Sequence, residues 1–225
     1  MDVPVLAYII VAVAAYLLGS IPTGYLVAKA KGIDIRSTGS GNIGATNAMR
    51  VLGKPAGIFV MLVDCGKGFA ACFLVGIFYI PEIYRLRILN LDQTEHSQVI
   101  AGIFVVLGHN YTCWLKFKGG KGIATTAGVY LALAPIALGI ALAVFILTVL
   151  ITRYVSLGSI IAAIVLPIAV WSNRENLAWS NRENIFLESV TIALSLLAIY
   201  KHKSNIKRLM AGTESRIGKK TEGAK

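Results

Sequence analysis

The 225 residues are 56% hydrophobic and 15% charged, with a net charge of +11 and a mean hydropathy of +0.70. Soluble globular domains carry about 25% charged residues, so this composition excludes an ordinary soluble enzyme, a disordered chain and a disulfide scaffold, and it fits a polytopic helical membrane protein. The positive charge sits between apolar segments, which points to anionic lipid or a phosphorylated substrate and away from nucleic acid.

A membrane span needs about 20 apolar residues, and seven candidates follow along the chain. The first runs from Val3 to about Ala28. It has no basic stretch before it, and GSIPTGYLVAK at its end lacks a convincing small-residue cleavage site, so it reads as a retained helix. The second covers about 56–80 and the third about 98–115. Residues 123–151 form one apolar run interrupted at Pro135. That is too long for one comfortable span and divides there into two short helices. The last two spans are about 155–171 and 185–200. The expected fold is all-α, with residues 1–210 as a single seven-helix domain and 211–225 as a polar basic tail that frays.

Loop charge sets the orientation. With seven spans, 17 Lys and Arg fall on one side and four on the other, and Lys67 lies within a span. The rich side holds the loop 29–54, the third loop with Lys116, Lys118 and Lys121, Arg153 and the tail. This asymmetry predicts an N-terminus outside and a C-terminus in the cytoplasm. Joining 123–151 into one span would move Arg153 and the tail outside, so the charge count supports the split. A tandem octad, WSNRENLA at 171–178 then WSNREN at 179–184, lies in an outside loop and reads as a duplication without function. Cys65, Cys72 and Cys113 have no disulfide or metal-ligand spacing.

The polar chemistry gathers on the basic side. GSGNIGATN at 39–47 precedes Arg50. Gly39 and Gly41 let backbone N–H groups converge as an anion nest, with Ser40, Asn42, Thr46 and Asn47 as polar ligands and Arg36 and Arg50 flanking; the plainer alternative is an ordinary polar turn. GHNYTCWLKFKGGKG at 108–122 brings Lys118, Gly119, Gly120 and Lys121 to the start of the next helix, a favourable end for an anion. The spacing is not that of a P-loop. Interfacial snorkelling accounts for Lys116 but not for the glycines.

His202 and Asn205 are three residues apart and would share a helical face, with His202 a candidate acid, base or phosphate donor. His109 reads as structural, and His96 lies outside. Asp64 and Lys67, at i and i+3 within the second span, are either a neutralising pair or a functional one. Ser156 and Ser159 are either capping and packing serines or phosphate ligands. No H-x-x-x-x-D, G-x-S-x-G, H-E-x-x-H or C-x-x-C occurs. Metal and covalent-serine chemistry therefore have no support, and no cofactor is expected.

These blocks together resemble a known family. KGIDIRSTGSGNIGATNAMRVLGKPAG (31–57), VDCGKG (63–68), KFKGGKG (116–122), RYVSLGSI (153–160) and HKSNIKRLMAGTESRIG (202–218), with GSIPTGYL (19–26), are similar to the bacterial acyl-phosphate-dependent glycerol-3-phosphate acyltransferases, the PlsY family. Thr112 stands where that family usually has proline, and the octad duplication departs from the usual length. The resemblance implies a seven-span enzyme of the bacterial cytoplasmic (inner) membrane with its site on the cytoplasmic face. It would transfer a fatty acyl group from acyl phosphate to the 1-hydroxyl of sn-glycerol 3-phosphate. The implied partner is the soluble phosphate acyltransferase that makes the acyl phosphate. On this reading Ser40, Arg50, Lys121, His202 and Asn205 are catalytic. Gly39, Gly41, Asn42, Thr46, Asn47, Lys118, Gly119, Gly120, Ser156 and Ser159 bind substrate. The competing readings are a transporter for organic phosphates and a basic lipid-binding scaffold. A transporter would be expected to show matching halves, and the sequence shows none.

Overall fold

The structure is a computed structural model that describes residues 3–86, 92–177 and 181–218. Among these the regular elements are all helical. In chain order they are α1 (Val3–Ser20), α2 (Thr23–Lys29), α3 (Ala45–Leu52), α4 (Lys54–Leu86), α5 (Asp92–Asn110), α6 (Ile123–Leu133), α7 (Pro135–Thr152), α8 (Val155–Ser172), α9 (Asn181–Lys201) and α10 (Lys203–Met210). Single 3-10 turns lie at Cys113–Leu115 and Arg174–Asn176.

Among the described residues five segments are long and apolar enough to cross a bilayer: Val5–Lys29, Lys54–Ile77, Glu95–Leu115, Pro135–Thr152 and Val155–Ser172. A sixth arises if α9 and α10, bent by 55° at His202, are taken as one broken span. Proline writes two of the breaks. Pro22 lacks an N–H and interrupts the first apolar run, which the sequence reading had left whole. Pro135 starts α7 at its first helical position, and the chain turns at Ala134, where the sequence had placed the division.

At 11 residues α6 is about 16 Å long, roughly half the hydrocarbon thickness. It is sheltered by α4. A side chain on Gly68 would strike the Thr125 carbonyl, and one on Gly128 would strike the Cys65 carbonyl, so the two backbones touch. The pair α1 and α5 closes in the same way through Gly19 and Gly108.

A long core joins the spans through Val99, Val105, Val106, Val129, Tyr130, Leu166 and Leu187. Tyr130 is 1% exposed, and its hydroxyl donates to Thr191 at 2.5 Å, so the buried phenol is not left unpaired. A second, smaller cluster at one end packs Ala28, Ile35, Ile43, Ala48, Val60 and Leu115. It draws the loop after α2 and the loop after α5 together.

Two expectations change. The octad repeat is not one loop: its first copy ends α8 and forms the 3-10 turn, and residues 181–184 of the second belong to α9. Residues 178–180 lie outside the described set, as do Arg87 and the tail lysines Lys219, Lys220 and Lys225. The tail does not fray over 211–218. The Ile217 amide donates to the Arg153 carbonyl at 2.9 Å, and Arg216 Nε donates to the Tyr154 hydroxyl at 2.9 Å. Composition read the segment as fraying, whereas residues 211–218, although largely exposed, are bonded to the α7–α8 junction.

Candidate active site

The loop between α2 and α3 is built around Asn47. This side chain is 2% exposed. Its Nδ2 donates to the carbonyls of Ile35, Thr38 and Asn42 at 3.3, 3.0 and 2.9 Å, and its Oδ1 accepts from the Ser40 amide at 2.8 Å. Gly39 has φ +63°, and any side chain there would collide with Asn47 Oδ1. Asn42 Oδ1 caps the Gly44 amide at 2.8 Å, just before α3 begins. Asn47 and Asn42 thus shape the loop from inside. Asn47, expected as a substrate ligand, has its amide fully spent on the backbone. Ser40, Thr46 and Arg50 are on the exposed side. Arg36 turns to Asp34, with Nη2 to Oδ2 at 2.8 Å, and lies over the Tyr25 ring. The Arg36 hydrogen bonds pull the Asp34 carboxyl down to about 2.

The glycines of the second loop have a different task from the one expected. The Gly119 and Gly120 amides donate to the carbonyls of Asn110 and His109 at 3.2 and 3.0 Å. A side chain on Gly120 would overlap the His109 ring at Nε2. These glycines let the chain fold tightly over the end of α5, and their N–H groups are spent on protein carbonyls instead of an anion. Lys118 is exposed. Lys121, directly after them, turns inward and donates from Nζ to Asn205 Oδ1.

Asn205, on the first turn of α10, is 6% exposed and its Nδ2 donates to Glu214 Oε1 at 2.8 Å. Glu214 also accepts from Ser156 Oγ at 2.9 Å and from Arg208 Nε at 2.7 Å. Burial alone would raise the Glu214 carboxyl; the bonds from Asn205, Arg208 and Ser156 overcome this and hold it below the usual carboxylate range. Glu214 is therefore a hub joining α8, α10 and the tail. Sequence reasoning missed it, although it is the one acid in the basic stretch 201–218.

Desolvation pushes Lys121 down to about 8; the Glu214 carboxylate opposes this, and the charges of Arg208, Arg50 and Lys201 reinforce it. Three other cations thus oppose the Lys121 charge, and the Glu214 carboxylate favours it. Lys201 also donates from Nζ to the Asn110 carbonyl at 3.1 Å and lies 4.6 Å from the Tyr111 ring centroid. It ties the end of α9 to the second loop, and it too was missed as a site neighbour.

His202 is not on one continuous helix with Asn205. It stands at the bend between α9 and α10, immediately before the first residue of α10. Its Nδ1 lies 2.8 Å from the Ala198 carbonyl. A carbonyl only accepts, so Nδ1 carries the proton and the neutral ring presents Nε2 as an acceptor. Ser156 faces Glu214, whereas Ser159 donates back to the Val155 carbonyl at 2.9 Å within its own helix. That bond occupies the Ser159 proton, which had been expected to reach a phosphate.

Beneath the second loop is a buried ionic cluster. Asp64 Oδ1 lies 2.8 Å from Lys67 Nζ and 3.6 Å from His109 Nδ1, and accepts from Thr23 Oγ1 at 3.1 Å. Lys67 also donates at 3.0 Å to the Ile21 carbonyl at the Pro22 break, which accepts from the Thr23 amide as well. Among the described residues no group of three or more His, Cys, Asp or Glu is arranged to hold a metal ion.

Residues 9–212 match the family described as glycerol-3-phosphate acyltransferase. Curated proteins of that name include one from Geotalea daltonii, 42% identical over 92% of this chain and 96% of its own length. Another, from Trichlorobacter lovleyi, is 45% identical over 90% of this chain and 94% of its own. Among solved structures, the glycerol 3-phosphate form of PlsY, an integral membrane glycerol 3-phosphate acyltransferase, has a TM-score of 0.78 at 36% identity and covers 94% of this chain and 96% of its own. Its lysophosphatidic acid form has a TM-score of 0.74 at the same identity, covering 94% and 95%. The match runs through both glycine-rich loops and the α9–α10 bend, and the chain belongs to the PlsY family of integral membrane glycerol-3-phosphate acyltransferases.

Proposed function

We propose that this protein transfers a fatty acyl group from acyl phosphate to the 1-hydroxyl of sn-glycerol 3-phosphate, releasing lysophosphatidic acid and phosphate for phospholipid synthesis. The observation that carries this reading is the chain of contacts in which Lys121 donates to Asn205 and Asn205, Ser156 and Arg208 donate to Glu214, with Arg50 and Lys201 close enough to depress the Lys121 ammonium. Both substrates bring phosphate, and an excess of cations beside apolar spans suits an anion attached to a lipid chain.

The reaction needs little from the protein beyond position and charge. The 1-hydroxyl oxygen attacks the acyl carbon, the carbon–phosphate oxygen bond breaks, and phosphate departs. Holding the hydroxyl against the acyl carbon lowers the barrier by up to roughly 7–11 kcal/mol in well-oriented systems. Lys121 and Arg50 offset charge on the leaving phosphate, and Ser40 and Thr46 on the exposed side of the first loop complete its contacts. Asn205 and His202 position glycerol 3-phosphate. The hydroxyl proton passes to His202 Nε2 or to the departing phosphate. No covalent acyl-enzyme forms, because the mixed anhydride already has a good leaving group.

The membrane reading follows from the same face. Counting α6 and α9 as spans beside the five longer ones makes seven. The distribution of 17 basic residues against four then favours an outside N-terminus and a cytoplasmic C-terminus in the bacterial inner membrane. The soluble enzyme that makes acyl phosphate would meet the protein there transiently.

The test is lysophosphatidate and phosphate formation by purified protein given acyl phosphate and glycerol 3-phosphate. Arg50→Ala and Lys121→Ala are expected to lose at least about a hundredfold in kcat/KM while staying folded. Near-normal turnover by folded variants refutes the cationic site. Turnover with an acyl-CoA in place of acyl phosphate refutes the donor, and acyl label retained covalently on the protein refutes direct attack.

A further inference from the structure

We propose that the buried cluster of Thr23, Asp64, Lys67 and His109 is a positioning device for Lys121, coupling the Pro22 break to the phosphate-binding loop. This deepens the proposed function and rests on its reading of Lys121 as a phosphate ligand.

The physical chain is continuous. Asp64 is held by Thr23 from α2 and by Lys67 from its own helix, and Lys67 in turn holds the Ile21 carbonyl at the break. Asp64 Oδ1 lies 3.6 Å from His109 Nδ1, so one edge of the imidazole lies against the cluster. The opposite edge, at Nε2, lies against the Gly120 Cα, where there is no room for even a methyl group. The Gly120 amide is bonded to the carbonyl of the same histidine at 3.0 Å. Gly120 is therefore gripped by His109 through both ring and backbone, and Lys121 is the next residue. Its ammonium then meets Asn205. A rotation of the imidazole shifts the peptide that aims Lys121.

Stability alone does not call for this arrangement. Replacing a buried ion pair by apolar groups of like volume is often neutral or stabilising. Asp64 is 2% exposed, Lys67 6% and His109 6%. A desolvated cluster placed directly under the one turn that aims a functional cation supplies a rigid polar anchor that apolar packing lacks, because hydrogen bonds and ion pairs fix orientation as well as distance.

His109→Asn retains a polar group near the Nδ1 position and removes the ring edge under Gly120. The purified full-length variant is expected to raise KM for glycerol 3-phosphate or acyl phosphate by about tenfold, with kcat changed by less than about threefold, since a small misplacement costs binding geometry before chemistry. Modification of Lys121 by an amine-acetylating reagent, followed by mass spectrometry, is expected to proceed several times faster than in the parent. In a double-mutant cycle, His109→Asn is expected to add no further loss on a Lys121→Ala background. A folded His109→Asn protein with unchanged KM and unchanged Lys121 modification overturns the proposal, as does full additivity. If His109→Asn does not fold, Thr23→Val decides by the same two measurements. It removes one hydroxyl from Asp64 and is expected to raise KM about threefold; unchanged values overturn the proposal. Failure of the underlying reading looks different, because Lys121→Ala itself would then leave kcat/KM unchanged.

Discussion

Two carboxylates organise the polar chemistry of this protein, and they sit in opposite charge environments. Asp64 is enclosed between α2, α4 and α5 with one lysine and one histidine, and its contacts are all within the protein. Glu214 stands on the tail bonded to Arg208, Asn205 and Ser156, and Lys121 reaches the same Asn205 while Arg50 and Lys201 act on Lys121. The first cluster is close to neutral and shut. The second carries a surplus of positive charge that one carboxylate does not cancel. The residue types are alike, and what separates the two clusters is the ratio of cations to acids.

The largest expected effect breaks the shut cluster. Lys67→Met leaves Asp64 buried without its ammonium and is expected to cost about 3–5 kcal/mol, read as a fall in the thermal unfolding midpoint in detergent. Asp64→Asn combined with Lys67→Met should recover most of that loss. A single variant as stable as the parent would mean that the cluster is not held by charge.

Removing the charge of the second hub should cost less, because it is nearer water. Glu214→Gln keeps the shape and weakens bonds from Ser156, Asn205 and Arg208, with an expected loss of about 1–3 kcal/mol at pH 7. The folded carboxyl titrates below its ordinary value, so its stabilising contribution is present above the ordinary value of 4.5 and disappears as pH falls through the folded one. The gap between parent and variant should therefore close on acidification. A gap that persists there assigns the effect to shape.

The charge surplus itself is tested by alkali. Lys121 titrates near 8 where an ordinary lysine titrates at 10.5, so it is cationic at pH 7 and loses its charge as pH rises past 8. The KM for glycerol 3-phosphate is expected to rise by several-fold up to about tenfold between pH 7 and 9. Substrate phosphate is already dianionic over that range, its second pKa being about 6. Lys121→Arg should flatten the rise, and a flat profile in the parent argues against Lys121 as the phosphate cation.

The smallest effect should come from Arg36, which lay among the cations flanking the first loop in sequence. It is exposed and occupied by Asp34, so Arg36→Gln should leave kcat/KM within about twofold and the unfolding midpoint unchanged. A large loss would move Arg36 into the binding surface.

Much of this was legible along the chain. Apolar run lengths, Pro135 and the basic loops identified a helical membrane protein and its division at Ala134, because lipid forces every backbone polar group into helices and leaves loop charge to mark the sides. The dense glycines and cations marked both loops, and Lys121 of the second loop bonds to Asn205 of α10. What each glycine and amide does was not legible. Asn47, Gly119 and Gly120 read as anion ligands, yet their hydrogen bonds run to the protein backbone. A polar residue in a turn has the same signature in sequence whether it faces a ligand or the loop's own carbonyls.

The sequence by itself indicated the long apolar helices, which segments prefer lipid and which loops hold cations, since each is a local property of run length, proline and charge; the Pro22 break and the short helix α3 were not among them. The tertiary structure decided which carboxylate is shut in and which is ringed by cations, and that His109 lies beneath Gly120. Several of the contacts that decide this join distant residues, such as Asp64 with His109, 45 positions apart, and Lys201 with Asn110, 91 apart. Such pairings follow from how the helices pack and leave no periodic mark in the chain.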